Sequence, residues 1–171
     1  IEISIFIKID NTFDTIEKIV SYCNKKKIKK VKNYEGYKET VIKDINNLRD
    51  KVDVLIVAMH WGREYTHIPT DLEKKTAEFL ASQDVDIIIG THPHVIQPVT
   101  WIDDTLVIYS LGNFISAQYQ NQGTCTNYKC MVGLMSSLTI NKTEYKGETT
   151  IKIDNIHCKQ LHRRQCCCSL P

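Results

Sequence analysis

Three of the six histidines in this 171-residue chain sit where their spacing suits chemistry. His60 closes the apolar run Val52-Asp53-Val54-Leu55-Ile56-Val57-Ala58-Met59 and opens His60-Trp61-Gly62-Arg63-Glu64-Tyr65. His92 and His94 follow a second apolar run, Val85–Ile89, within Gly90-Thr91-His92-Pro93-His94. A Gly before the pair and a Pro inside it hold such a loop close and stiff. Neutral imidazole is the commonest metal-ligating side chain, and three of them suit Zn, Fe, Mn or Ni better than Ca or Mg. The competing reading is that each ring is a hydrogen-bonded residue of the core or rim. Glu64 reads either as a carboxylate that orients a histidine or as a surface charge. Asn113, in Leu111-Gly112-Asn113-Phe114, reads either as a further group facing the same crevice or as a turn residue. His67 reads as a solvated loop residue.

The elements that must position these groups follow from the hydrophobic pattern. Both histidine-bearing runs are near-continuously apolar, as suits parallel strands buried on both faces. Between them Thr70-Asp71-Leu72-Glu73 has capping-box spacing, which predicts a helix to about Ser82 that buries Leu72, Phe79 and Leu80. Strand, helix, strand is a βαβ unit with an expected right-handed crossover. In open α/β sheets ligands lie beyond the carboxyl ends of the strands, so His60, His92 and His94 are expected to share one crevice.

Around that core, Ile1–Ile9 alternates as a strand, Thr12–Asn24 reads as a short helix, and Glu39–Asp50 is amphipathic through Val41, Ile42, Ile45 and Leu48. Val99–Ile102 and Thr105–Ser110 flank an Asp103-Asp104 turn. Met131–Asn141 and Glu148–Asn155 read as two strands joined by a loop containing Gly147. The fold class is α/β, a sheet layered with helices and followed by C-terminal strands.

Charge narrows the partners. The net charge is +2, too small for an electrostatic nucleic-acid binder. Residues 51–100, however, carry four basic against seven acidic side chains, and an acidic surround favours cations. The basic stretch Lys25–Lys32 reads as a solvated helix end and connector or as a patch for an anionic partner. With 42% hydrophobic and 25% charged residues, the composition is that of a globular core. No apolar run approaches the ~20 residues of a bilayer span, and no secretory leader pattern is visible. Ile1 is not a Met, so the chain is expected to continue upstream.

Taken in order, HWGREY (60–65), DIIIGTHPHVIQP (86–98) and VIYSLGNFIS (107–116) resemble the capsule-synthesis CapA family. That family is also called the poly-γ-glutamate synthesis (PgsA-like) family and belongs to the calcineurin-like metallophosphoesterase superfamily. The resemblance covers about residues 37–140, with Val132-Gly133-Leu134 resembling the glycine-containing strand after the polar loop. It implies that His60 corresponds to the lone ligand histidine ending a central strand, and that His92 and His94 correspond to the paired histidines of the superfamily's loop. It also implies a divalent transition metal (Mn, Fe or Zn), metal-assisted hydrolysis of a phosphoester or related bond, and Asn113 or Glu64 as candidate catalytic groups. Implied partners are other capsule or poly-γ-glutamate assembly proteins and an anionic polymer or phosphoester substrate, at the bacterial cell surface or membrane. The superfamily's N-terminal motifs (an Asp after the first strand, a bridging acidic residue and an Asn-His pair) have no counterpart in residues 1–59, although Asp10-Asn11 follows the first strand. The chain is therefore expected to be the C-terminal part of such a protein. The alternatives are a non-catalytic scaffold module for surface-polymer assembly and an inactive remnant.

Seven cysteines are an odd number, so at least one is unpaired within a monomer. Cys125 and Cys130 flank a short polar loop and read as a disulfide in an extracellular protein or as free thiols. His157-Cys158, His162 and Cys166-Cys167-Cys168 match no standard zinc spacing. The expected organisation is a partial domain over 1–155 and an irregular Cys-rich tail over 156–171.

Overall fold

The computed structural model describes residues 2–6, 34–114 and 128–162. Its centre is a five-stranded mixed sheet in the order β1-β2-β3-β5-β4, with β1 at Glu2–Phe6, β2 at Ile56–His60, β3 at Ile87–Thr91, β4 at Val99–Ile102 and β5 at Thr105–Ile108. The β2–β3 and β3–β5 pairs are parallel, while β1 on β2 and β4 on β5 are antiparallel. Two helices, α1 (Tyr34–Arg49) and α2 (Asp71–Ala81), precede β2 and β3, and a long hairpin, β6 (Val132–Tyr145) with β7 (Glu148–His162), follows a 3-10 turn at Tyr128–Met131. The proposed helix at Thr12–Asn24, the basic stretch 25–32 and Cys125 lie outside the described residues.

The period-two alternation of the central strands explains both faces of the sheet. Leu55, Val57, Met59, Ile88, Val107 and Tyr109 pack with Val41 and Ile45 of α1 and Ala77 and Leu80 of α2. Val54, Ile87 and Leu106 face the other way, against Leu138, Ile140, Ile151, Ile153 and Ile156 of the hairpin. The sheet is covered on both sides, and this is why its inner strands read as unbroken apolar runs.

Three expectations differ in detail. The first apolar run enters the ladder only at Ile56, because Val52–Leu55 are held from outside it. Arg49 donates to the carbonyls of Val52 and Asp53 (3.3 and 3.2 Å) and pairs with Asp86 Oδ2 at 2.8 Å, while Asp86 Oδ2 accepts from Leu55 N at 2.6 Å. Leu72 is 53% exposed rather than buried. The capping box turns Glu73 inward, so the buried stripe is Glu73, Thr76, Ala77 and Leu80, and Leu72 faces outward ahead of it. β7 continues through His162, so residues 156–162, placed in the irregular tail, are strand paired along β6.

Gly90 of β3 fixes how closely its neighbours approach. A Cβ there would overlap the carbonyl oxygen of Tyr109 and the indole nitrogen of Trp61. Gly90→Ala is expected to destabilise the fold by about 3 kcal/mol, as overpacking against backbone does at the upper end of its range. Urea unfolding of the two proteins checks this; an unchanged midpoint would mean that the strand ends are not packed this tightly.

Candidate functional site

β2, β3 and β5 are adjacent and parallel, so the loops leaving their carboxyl ends emerge side by side. Trp61 locks the ends together. Its backbone N–H donates to Thr91 O (3.1 Å), and its indole donates across Gly90 to Tyr109 O (2.9 Å) while stacking on the Tyr109 ring at 5.8 Å. Burial pushes the Tyr109 phenol above its usual value near 10, with the negative charges of Glu78 and Glu73 adding to the effect, so it stays protonated at neutral pH.

His60, His92 and His94 stand together on this edge. The His60 and His92 ring centroids are 4.5 Å apart, and those of His92 and His94 are 6.1 Å apart. His92 (φ 100°) and His94 (φ 59°) both lie in the left-handed region, so the segment leaves β3 by two sharp turns around Pro93. Each costs on the order of 1–3 kcal/mol, offset by the surrounding bonds. Tyr65 N donates to Pro93 O (2.8 Å), Gln97 Nε2 donates to Thr66 O (3.0 Å), and His67 Nδ1 donates to Ile96 O (2.7 Å). His67 is exposed, as expected, but serves as a strut between the two loops.

Glu64, His92 and His94 bring one donor atom each within 4.8 Å of one another, a grouping that could hold a metal ion. The His60 ring lies tilted against that of His92 without being a member of that tight set. Glu64 Oε1 lies 3.9 Å from His94 Nε2. On the other side of the His94 ring, Nδ1 is 2.9 Å from Asn113 Oδ1, and Asn113 Nδ2 donates to Cys130 O at 2.9 Å. The amide is thereby oriented with its oxygen toward the imidazole. Nδ1 is therefore the donor to that oxygen, and Nε2 faces Glu64. Cys130 is buried and disulfide-bonded, its partner lying outside the described residues; Cys158 is an exposed free thiol.

Two contributors were not singled out from the sequence. Tyr65 stacks on His94 with centroids 5.9 Å apart. Glu73 is 2% exposed and lines a cavity of about 510 Å³ with His60, Trp61, Gly62, Thr76 and His92. Its capping-box spacing was visible, but its reach into this cavity was not.

A mixed α/β sheet with imidazoles, a carboxylate and an amide gathered beyond its parallel strand ends defines an α/β protein with a crevice at that edge. The chain belongs to the bacterial capsule synthesis protein family PGA_cap, which matches residues 10–118. That stretch starts earlier than the resemblance over 37–140 and ends before Val132-Gly133-Leu134. Over 80 residues the chain is 38% identical to the PGA biosynthesis protein CapA of Bacillus subtilis (strain 168), covering 47% of this chain and 21% of that protein. Over 84 residues it is 33% identical to the capsule biosynthesis protein CapA of Bacillus anthracis, covering 47% and 20%. The matched part is thus about a fifth of the length of these relatives.

The Asn113 bridge has a direct spectroscopic consequence. At pH 8 the ¹⁵N–¹H correlation spectrum of His94 should show the Nδ1–H tautomer, and Asn113→Ala should return it to a mixture dominated by Nε2–H. An Nε2–H pattern in the wild type would contradict the assignment.

Proposed function

We propose that this chain carries the histidine-bearing part of a calcineurin-like metallophosphoesterase site, in a protein of capsule or poly-γ-glutamate assembly at the bacterial cell surface. The observation that carries this reading is the convergence of Glu64, His92 and His94 donor atoms within 4.8 Å, with the His60 ring against that of His92. Imidazole and carboxylate donors suit Mn, Fe or Zn, and the Asn113 bond leaves His94 Nε2 free to ligate, so the residues present fit such an ion. His92 and His94 would hold it together with Glu64, and His60 lies beside His92. A bound divalent ion supplies Lewis acidity for hydrolysis of a phosphoester or related bond. The chain's own groups do the positioning. Asn113 fixes the His94 ring, Tyr65 covers its face, and the half-exposed Glu64 offers a proton acceptor at the mouth.

The names of the relatives support a role in surface-polymer biosynthesis. An anionic polymer or phosphoester substrate and other assembly proteins as partners belong to the same proposal. Among the described residues no helix is long and apolar enough to cross a membrane. The alternative reading is a scaffold module that keeps the fold without turnover.

Metal content after dialysis against Mn²⁺ or Zn²⁺, measured with hydrolysis of bis(p-nitrophenyl) phosphate, separates the readings. The wild type is expected to retain the ion, and His92→Ala and His94→Ala to lose at least about tenfold in affinity. Retention with turnover supports the hydrolase, retention without turnover supports the scaffold, and a wild type that takes up neither ion removes the metal site.

A further inference from the structure

Apart from two imidazoles, the side chains that line the cavity beside the histidines have their polar groups committed within the protein. Thr76 Oγ1 donates to Leu72 O at 2.7 Å, Thr70 Oγ1 donates to Glu73 Oε2 at 2.7 Å, and the Trp61 indole donates to Tyr109 O at 2.9 Å. The one carboxylate of the lining is committed too. Glu73 Oε2 also accepts from Thr70 N at 2.6 Å, and Oε1 is buried against Gly62, where a Cβ would overlap it. What the side chains leave for a ligand is carbon, Leu72 above all, together with the rings of His60 and His92. Leu72 stays 53% exposed because the capping box turns Glu73 inward in its place. An apolar side chain is thereby held in water at the wall of a cavity that adjoins the histidine cluster.

We propose that this cavity is a subsite for an uncharged apolar group, an aromatic ring or a short alkyl chain, carried by a ligand whose polar end lies at the histidines. A polar group entering it exchanges water for walls whose side-chain donors are already in use, which is unfavourable. A cation finds the only carboxylate bonded on one oxygen and buried on the other. An apolar group gives up no hydrogen bond on entry, and it removes the exposed carbons of Leu72 from water. A cavity of about 150 Å³ already holds a benzene ring. The volume here is about 510 Å³, which leaves room for a ring with a polar substituent that reaches His60 and His92. The subsite belongs to α2 and the strand ends and does not rest on a bound metal.

The test is a titration of the chain with benzyl alcohol, benzylammonium and glycerol, followed in methyl and imidazole NMR spectra. Benzyl alcohol is expected to shift the Leu72 and Thr76 methyl signals together with the His60 and His92 ring signals, with a Kd on the order of millimolar. It should bind at least about threefold more tightly than either of the other probes, and Leu72→Asp should weaken it by about fivefold or more. Aspartate in the first turn of α2 suits the helix dipole, and thermal unfolding verifies that the variant is folded. If it is not, the shift map and the order of the three probes decide alone. Equal or tighter binding of benzylammonium or glycerol would overturn the proposal, as would shifts confined to other residues, no binding, or an unchanged affinity in the folded variant. Metal uptake measured in the same samples keeps the two proposals apart. Binding of benzyl alcohol without metal uptake sinks only the metal site, and metal uptake without such binding sinks only this subsite.

Discussion

The indole of Trp61 reaches Tyr109 O over the bare Cα of Gly90, and the placement of every group in the crevice depends on that crossing. It joins the carboxyl end of β2 to that of β5 across the strand between them. Trp61 N to Thr91 O and Leu111 N to Gly90 O, at 3.1 and 3.4 Å, close the remaining gaps. His60 immediately precedes the tryptophan, His92 follows the glycine by two residues, and Asn113 follows Tyr109 by four. None of the three is far enough along its loop to choose a position independently of its strand end. The buried core beneath therefore sets the spacing of the imidazoles, and a larger residue at position 90 would separate all three at once.

Beyond the strand ends, order comes from bonds between loops. Two non-glycine residues held at positive φ, side by side with a proline between them, would relax if the chain around them were free. The backbone of Tyr65, the side chain of Gln97 and the ring of His67 each tie the first loop to the second, and Gln97 makes its bond while itself buried. The Asn113 amide adds a bond from the third strand end. The crevice is thus braced before any ligand arrives, which is the condition for donor groups to act without first paying a reorganisation cost.

What could be read from the sequence was what local pattern encodes. The two buried strands, the capped helix α2 and the β4–β5 hairpin follow from apolar runs, a Thr-x-x-Glu spacing and an Asp-Asp turn, and the general rule for open sheets puts the histidines on one edge. The start of β2 was not legible, because Arg49 and Asp86, which hold Val52–Leu55 outside the ladder, are 37 residues apart. Positive φ at His92 and His94 is set by the loops around them and leaves no local signature. Glu73 was hidden for a different reason. A helix cap explains its presence completely at the level of sequence, and only the fold shows that one of its oxygens has a second environment.

The family match ends at residue 118, yet the site does not end there as a physical object. Asn113 is oriented by the carbonyl of Cys130, and Leu134 N donates to Leu111 O at 2.7 Å, so the root of the β6–β7 hairpin sets the loop that carries the amide. The same hairpin covers Val54, just ahead of β2, and Ile87 and Leu106 on the back of β3 and β5. Without it that face of the sheet would lie open to water, at a cost of roughly 1.5–3 kcal/mol for each large apolar side chain exposed. The boundary of sequence similarity therefore falls inside a folding unit. Packing and the orientation of His94 both require the hairpin, whatever sequence it carries.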